Sequence, residues 1–385
     1  MRIAYINADS GIALFGTKGA AVHVRDVSQA LTALGHTVRV FTARTGQAPA
    51  SWQVPFEALP GTHEPVLSPE VRALLVNRGT FAALVRAHRE SAWDLVYERY
   101  SLWSHAALRF ARRYDLPFVL EVNSPLVVEQ TRYRTLERTA TARRIERYLF
   151  SGATRIVVVS QEVGDYVCAQ GGDPSRVVVA SNGVDLTLYE GQRPAGVASP
   201  ERFTIGFLGS LKPWHGVDVL VDALEALVAR DTRYHLRVVG DGPERAALEA
   251  SLRARRLESH ATIVGQVPRE EVPRELAAVD CAVAPYPRLD DFYFSPLKVF
   301  EYMAAGRPIV ASRIGQIEAV LEDSATALLV EPGNPRALAD AIQALCHQPV
   351  LAGRLGTAAR QRAFDRHGWT HTVTASLAGL QEARS

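Results

Sequence analysis

The sequence predicts an α/β protein of two doubly wound domains in succession, and three observations point there. Short apolar runs alternate with stretches of helical periodicity, and the connections between them are short. The whole series then occurs a second time, after a segment rich in Gly, Pro, Ala and Ser. With 385 residues, 47% of them hydrophobic and 22% charged, the chain has material for more than one core.

The first series opens with the apolar run Ile3 to Asn7 and a small, polar, glycine-containing stretch through Gly19. Val24, Val27, Leu31 and Leu34 then recur at helical spacing until Gly35 stops the helix, and Thr37 to Thr42 reads as the next strand. A strand, loop, helix, strand unit with such short connections implies a parallel sheet covered by helices. Leu95 to Tyr97, Pro117 to Glu121 and Arg155 to Val159 continue it. Gly191 to Pro200 reads as a linker, which sets domains at 1–190 and 201–362. In the second series, Phe203 to Leu208, Leu236 to Val239, Ala261 to Val264, Cys281 to Ala284, Pro308 to Ala311 and Ala327 to Val330 are strand-like, with helical patterns such as Val217, Leu220, Leu224 and Leu227 between them. Ligands of such sheets bind beyond the carboxyl ends of the strands, so two Rossmann-like domains are expected to face one interdomain cleft.

Charge and cysteine content narrow the function. Lys and Arg number 43 against 41 Asp and Glu, a net charge of +2, which argues against a nucleic-acid binder or a polybasic membrane protein. Cys168, Cys281 and Cys346 lie far apart, without ligand spacing, which excludes a zinc ribbon or disulfide framework and fits a reducing cytoplasm. The apolar run at the N-terminus is too short for a signal-peptide core or a membrane helix. The expectation is a cytoplasmic protein whose membrane contact, if any, is peripheral at the inner face.

The most informative stretch runs from Phe294 to Pro308. Ser295 suits an N-cap and Pro296 the first helical position, so a helix opens there with free N–H groups, a place for an anion. Lys298 lies in the first turn and Glu301 shares its face. At 1.5 Å rise per residue, Ser295 to Glu301 spans roughly 9 Å, the reach from a diphosphate to the ribose of a nucleotide. An ordinary capped helix with a solvated Lys–Glu pair fits the same residues. The second candidate is Phe207 to Gly216, where Gly209 permits close backbone approach and Lys212 and His215 can meet phosphate oxygens; a solvated loop is the alternative. Gly240-Asp-Gly-Pro243 reads as a strand-to-helix turn.

In their order and spacing these pieces resemble the GT-B glycosyltransferases, in particular the retaining family 4, over nearly the whole chain. The signposts are Gly19 before a helix carrying His23-Val24, Val157-Val-Val-Ser160, Asn182-Gly-Val-Asp185, Gly209 to Gly216, Gly240-Asp-Gly242 and Glu301-Tyr-Met-Ala-Ala-Gly-Arg-Pro308. The resemblance implies a nucleotide-diphosphate sugar as donor, held mainly by the C-terminal domain, and a hydroxyl-bearing acceptor held mainly by the N-terminal one. It also implies transfer with retention and a final segment, 363–385, crossing back to the first domain; with no D-x-D motif in the chain, no metal or other cofactor is expected to be required. The donor would meet Gly19, Gly209, Ser210, His215, Tyr293, Ser295, Pro296, Leu297, Lys298 and Glu301, with backbone groups around Val264 to Val267 on the base.

Departures from the family pattern matter. The signature pairs two glutamates; Glu301 fills the second place, but Tyr293 stands in the first. Ser210 and His215 replace an Arg and Lys clamp, leaving Lys212 and Lys298 to stabilise the departing diphosphate. Asn123 sits where many relatives carry a histidine; it can hydrogen-bond a sugar but cannot be a base, a role open to Glu121 or to the leaving phosphate. Glu121 as a buried carboxylate bonded to backbone is the structural alternative. Glu98 and Arg99, with Asn123, are expected to meet the acceptor. Asp290 and Asp291 are adjacent and do not form a D-x-D metal bridge. Arg132, Arg134, Arg138, Arg143, Arg144 and Arg147 could meet an anionic acceptor or lipid surface, or be simply solvated. Two other functions fit less well: a non-catalytic nucleotide-sugar binder, favoured by Tyr293, and a sugar-nucleotide epimerase or phosphorylase.

Overall fold

The computed structural model describes residues 1–60, 67–192 and 201–380. The chain divides into two compact units. The first comprises Met1–Asn182, Tyr293–Ser295 and Trp369 onward; the second comprises Gly183–Phe292 and Pro296–Gly368.

In the first unit the elements run β1 (Arg2–Asn7), α1 (Gly19–Ala33), β2 (Thr37–Thr42), β3 (Phe56–Ala58), α2 (Pro69–Glu90), β4 (Leu95–Arg99), α3 (Ala106–Arg113), β5 (Phe118–Val122), α4 (Leu126–Tyr133), α5 (Thr139–Gly152), β6 (Arg155–Val158), α6 (Gln161–Ala169) and β7 (Val177–Val179). Among the described residues its sheet is seven-stranded, in the order β3-β2-β1-β4-β5-β6-β7, and every pairing is parallel. Helices on both faces bury the central strands, which is why β1, β4 and β5 read as largely apolar stretches rather than alternating ones, with Glu98, Arg99 and Glu121 the charged exceptions. β3 and β7 were not expected. Each is three residues long, lies at a sheet edge and is partly exposed, so neither carries a run of apolar residues to announce it.

The second unit runs β8 (Phe203–Leu208), α7 (Val217–Arg230), β9 (Tyr234–Val239), α8 (Arg245–Ala254), β10 (Ala261–Gly265), α9 (Val272–Ala277), β11 (Cys281–Ala284), α10 (Leu297–Ala304), β12 (Ile309–Ser312), α11 (Gln316–Val320), β13 (Leu328–Val330), α12 (Pro335–His347) and α13 (Pro349–Arg366). Its described strands form a six-stranded parallel sheet in the order β10-β9-β8-β11-β12-β13. The last helix, α14 (Trp369–Leu377), returns to the first unit, where the Trp369 indole meets the His23 ring edge-on at 4.8 Å. In both sheets the strand order reverses beside the first strand, between β1 and β4 and between β8 and β11. These switch points are where loops at the carboxyl edge diverge and leave room for a ligand.

The units change over at Asn182 and Gly183, ahead of the composition-based boundary at 190. Tyr189 explains the offset: it is fully buried and its hydroxyl donates to Glu301 of α10, so the stretch before the linker already packs with the second unit. Of the expected linker 191–200, residues 193–200 lie outside the described residues. Composition does not mark which core a flanking turn joins.

Candidate functional site

The switch point of the second unit gathers one cluster. Lys298, on the first turn of α10, is 6% exposed and lays its amine over the ring of Phe207, 4.1 Å from the centroid, with the Tyr286 ring 5.3 Å away. Among the described residues that amine has no hydrogen-bond partner. Burial pushes its pKa down from the usual lysine value to about 7, because a cation without an anion is poorly solvated there. Gly209, at the end of β8, makes the packing possible: with φ at 132°, it sits where a Cβ would come 3.3 Å from the Lys298 amine. The turn judged from sequence to be only a connector supports this loop. Gly240 has φ at 140°, and a Cβ there would lie 2.0 Å from the Gly209 carbonyl; one on Gly242 would crowd the Leu211 backbone.

Ser210 and His215 join the cluster, in an unexpected role. The His215 Nδ1–H donates to the Ser210 carbonyl, and the ring meets Tyr286 at 5.7 Å. Burial, then the neighbouring Lys298 and Lys212, hold its pKa down at about 3. His215 is therefore a neutral imidazole at pH 7 that gives its N–H to Ser210, so the positive charge of the cluster falls to Lys298 and Lys212. The Lys212 amine lies over the Trp214 ring at 5.9 Å. Val267 falls in the loop after β10, and no described contact ties it to Lys298.

The start of α10 also departs from the sequence reading. Ser295 is not the cap. The helix runs from Leu297 with Pro296 at the cap position and no side-chain cap. The Ser295 hydroxyl instead accepts the Asn182 backbone N–H at 3.0 Å, and its carbonyl accepts the Asn182 side-chain amide at 2.7 Å. Tyr293 packs in the core of the first unit and donates its hydroxyl to Glu129 at 2.6 Å. Its phenol is thus committed to a carboxylate rather than offered to a sugar. Glu301 accepts from Tyr189 and remains half-buried.

In the first unit, Glu121 on β5 is 3% exposed and accepts from three side chains: His23 Nε2 at 2.5 Å, the Tyr97 hydroxyl at 2.9 Å and Arg99 at 3.4 Å. Burial opposes its charge, but His23, Arg99 and Tyr97 outweigh that, and its pKa falls to about 2. Neither pattern nor spacing revealed these partners, because they come from α1 and β4, up to 98 residues from Glu121. A carboxylate so saturated does not take a proton from substrate, and the base role considered for it is set aside. Arg99 also donates to the Asn123 Oδ1, which leaves the buried Asn123 Nδ2 without a partner among the described residues. Glu98 points to the other face of β4, with no exposure, and accepts from Ser104; burial raises its pKa to about 7. It cannot touch an acceptor from there, a second correction.

Gly19 opens α1 as an exposed residue. Of the arginines between 132 and 147, all but Arg143 are exposed, and Arg138 pairs with Glu70 at 3.9 Å. Among the described residues no three His, Cys, Asp or Glu side chains gather as a metal-ligand set, and no helix is long and apolar enough to cross a membrane.

Comparison with known proteins carries the geometry further. The family model described as Glycosyltransferase Family 4 matches residues 17–188, and that described as Glycosyl transferases group 1 matches residues 202–348. The chain is a glycosyltransferase, with a family 4 match over its N-terminal part and a group 1 match over its C-terminal part. Among curated relatives, this glycosyltransferase is 28% identical to a D-inositol 3-phosphate glycosyltransferase of Frankia alni, over 95% of both chains. It is 27% identical to one of Pseudarthrobacter chlorophenolicus, over 95% of this chain and 90% of that one. Among solved structures, sucrose-phosphate synthase from Thermosynechococcus elongatus superposes with a TM-score of 0.77 at 22% identity, and Anabaena HepE in complex with UDP with 0.74 at 20%; each match covers 100% of both chains. The enzyme therefore has the GT-B fold, two parallel-sheet Rossmann-like domains.

Proposed function

We propose that this glycosyltransferase takes its sugar from a nucleoside-diphosphate donor and transfers it to a hydroxyl with retention of anomeric configuration. One observation carries the reading: a buried Lys298 amine with no counter-charge among the described residues, next to Gly209 and the uncapped first turn of α10. A buried unpaired cation is costly, and a diphosphate is the kind of anion that relieves the cost. As the bond from the anomeric carbon to the diphosphate oxygen breaks, negative charge grows on that oxygen, and Lys298, the α10 amides and Lys212 stabilise it there. Glu121 is saturated and Asn123 is no base, so the acceptor proton passes to the departing phosphate oxygen while the new carbon–oxygen bond forms on the same face. Glu301 accepts from the ribose. The enzyme acts in the cytoplasm, where nucleotide sugars are made.

Calorimetric titration with UDP, GDP, ADP and dTDP, followed by donor-consumption assays with free and phosphorylated cyclitols, tests the reading. The relatives' name makes inositol 3-phosphate the first acceptor to try. The expected result is binding of one nucleotide and acceptor-dependent consumption of its sugar, with the product's anomeric configuration read by NMR. No binding of any nucleotide overturns the donor assignment. Consumption without acceptor, or only with inorganic phosphate, replaces transfer by epimerisation or phosphorolysis. An inverted product overturns retention.

A further inference from the structure

The segment Ser295-Pro296-Leu297-Lys298 has the sequence of a capped helix start, yet the cap is not made. A serine one residue before proline at a helix N-terminus normally turns its hydroxyl onto the N–H two or three residues ahead. Here that hydroxyl accepts the Asn182 N–H instead, and the Ser295 carbonyl accepts the Asn182 side-chain amide, so both serine oxygens are held by one residue. The Asn182 side chain is itself fixed. Its Nδ2 serves the Ser295 carbonyl, so its Oδ1 faces His23 Nδ1 at 2.9 Å and accepts from it. The other His23 nitrogen donates to Glu121. A chain of four residues, Glu121, His23, Asn182 and Ser295, thus runs through the first unit and ends at the residue before the α10 cap position, Pro296.

We propose that Asn182 is a positioning residue for the donor site: by holding both oxygens of Ser295 it withholds the hydroxyl that would cap α10 and leaves the first-turn N–H groups to the diphosphate. The proposal rests on the donor site described above. A hydroxyl on the Lys298 or Leu297 N–H competes with a phosphate oxygen for the same donor, since a helix start offers only a few unpaired amides. The Asn-Gly-Val-Asp stretch at 182–185 contributes no group to the bound donor in this account; its asparagine acts through Ser295.

The test is a double-mutant cycle read by calorimetric binding of UDP, or of whichever of GDP, ADP or dTDP the wild-type enzyme prefers. Asn182→Ala keeps the backbone N–H but removes the side-chain anchor on the Ser295 carbonyl that holds the serine against it, so Ser295 turns back onto the helix and nucleotide binding weakens about fivefold, the size of a cap interaction. Asn182→Ala combined with Ser295→Ala binds as tightly as Ser295→Ala alone, because no hydroxyl is left to compete. Asn182→Asp keeps the contact with His23 but repels the Ser295 carbonyl; it reproduces the loss, and serves if the alanine variant does not fold. An equal loss with and without the Ser295 hydroxyl, or no loss in either Asn182 variant, overturns the proposal while leaving the donor site standing. Absence of nucleotide binding to the wild type overturns both.

Discussion

Lys298 and Glu121 are both buried ionisable side chains in a parallel α/β unit, and the company each keeps separates them. Glu121 receives hydrogen bonds from His23, Tyr97 and Arg99 and is held ionised, with a pKa near 2. Lys298 has aromatic faces and a glycine beside it, no partner for its amine among the described residues, and a pKa near 7. The same degree of burial therefore carries opposite meanings. A buried charge with its partners in place belongs to the architecture, and one without them waits for a ligand to complete it.

Three measurements sharpen or break that contrast. The largest effect is expected at Lys298: Lys298→Met should lower kcat by about 10²–10³-fold, the usual cost of losing a preorganised charge on a leaving group. Its thermal midpoint should stay the same or rise, because the variant no longer buries an unpaired amine. Unchanged turnover would remove Lys298 from the chemistry. Next, Glu121→Leu should cost about 3–5 kcal/mol in denaturant unfolding, since His23 and Arg99 are left facing an apolar group. The acid limb of the wild-type stability curve belongs to the same group. With its pKa lowered from 4.5 to about 2, Glu121 contributes stability that is fully present above 4.5 and lost as pH falls toward 2. A variant as stable as wild type, with the acid limb unmoved, would contradict the hub role.

The smallest effect is a pH slope. An amine with a pKa near 7 in the free enzyme takes up a proton when a diphosphate binds, so affinity should fall as pH rises above 7, by at most about tenfold per unit. Lys298→Met should lose this slope, and calorimetry in buffers of different ionisation enthalpy should register the proton uptake in wild type only. A slope that persists in the variant would assign the proton to another group.

Much of the fold was legible because strands buried on both faces are largely apolar runs and their helices must repeat at 3.6 residues. β8 and β11 match the expected limits, Phe203 to Leu208 and Cys281 to Ala284. β3 and β7 escaped because three-residue edge strands lack such a run. In the site, Gly209, Ser210, His215 and Lys298 were readable since a glycine turn after a strand and a cation at a helix start are local patterns. Phe207, Tyr286, Gly240, His23 and Tyr97 were not, since an aromatic face or a buried partner is defined by what approaches it from elsewhere in the chain.

By itself, then, the sequence determined the two α/β units, the glycine turns and the residue types available to a phosphate, since periodicity and turn chemistry act over a few residues. Tertiary structure alone decided which charges are satisfied. It set Glu121 among three donors, turned His215 neutral, sealed Glu98 from solvent and drew Ser295 from α10 to Asn182. Ionisation and hydrogen bonding depend on the dielectric and the partners within a few ångströms, and those neighbours come from residues up to 113 positions away.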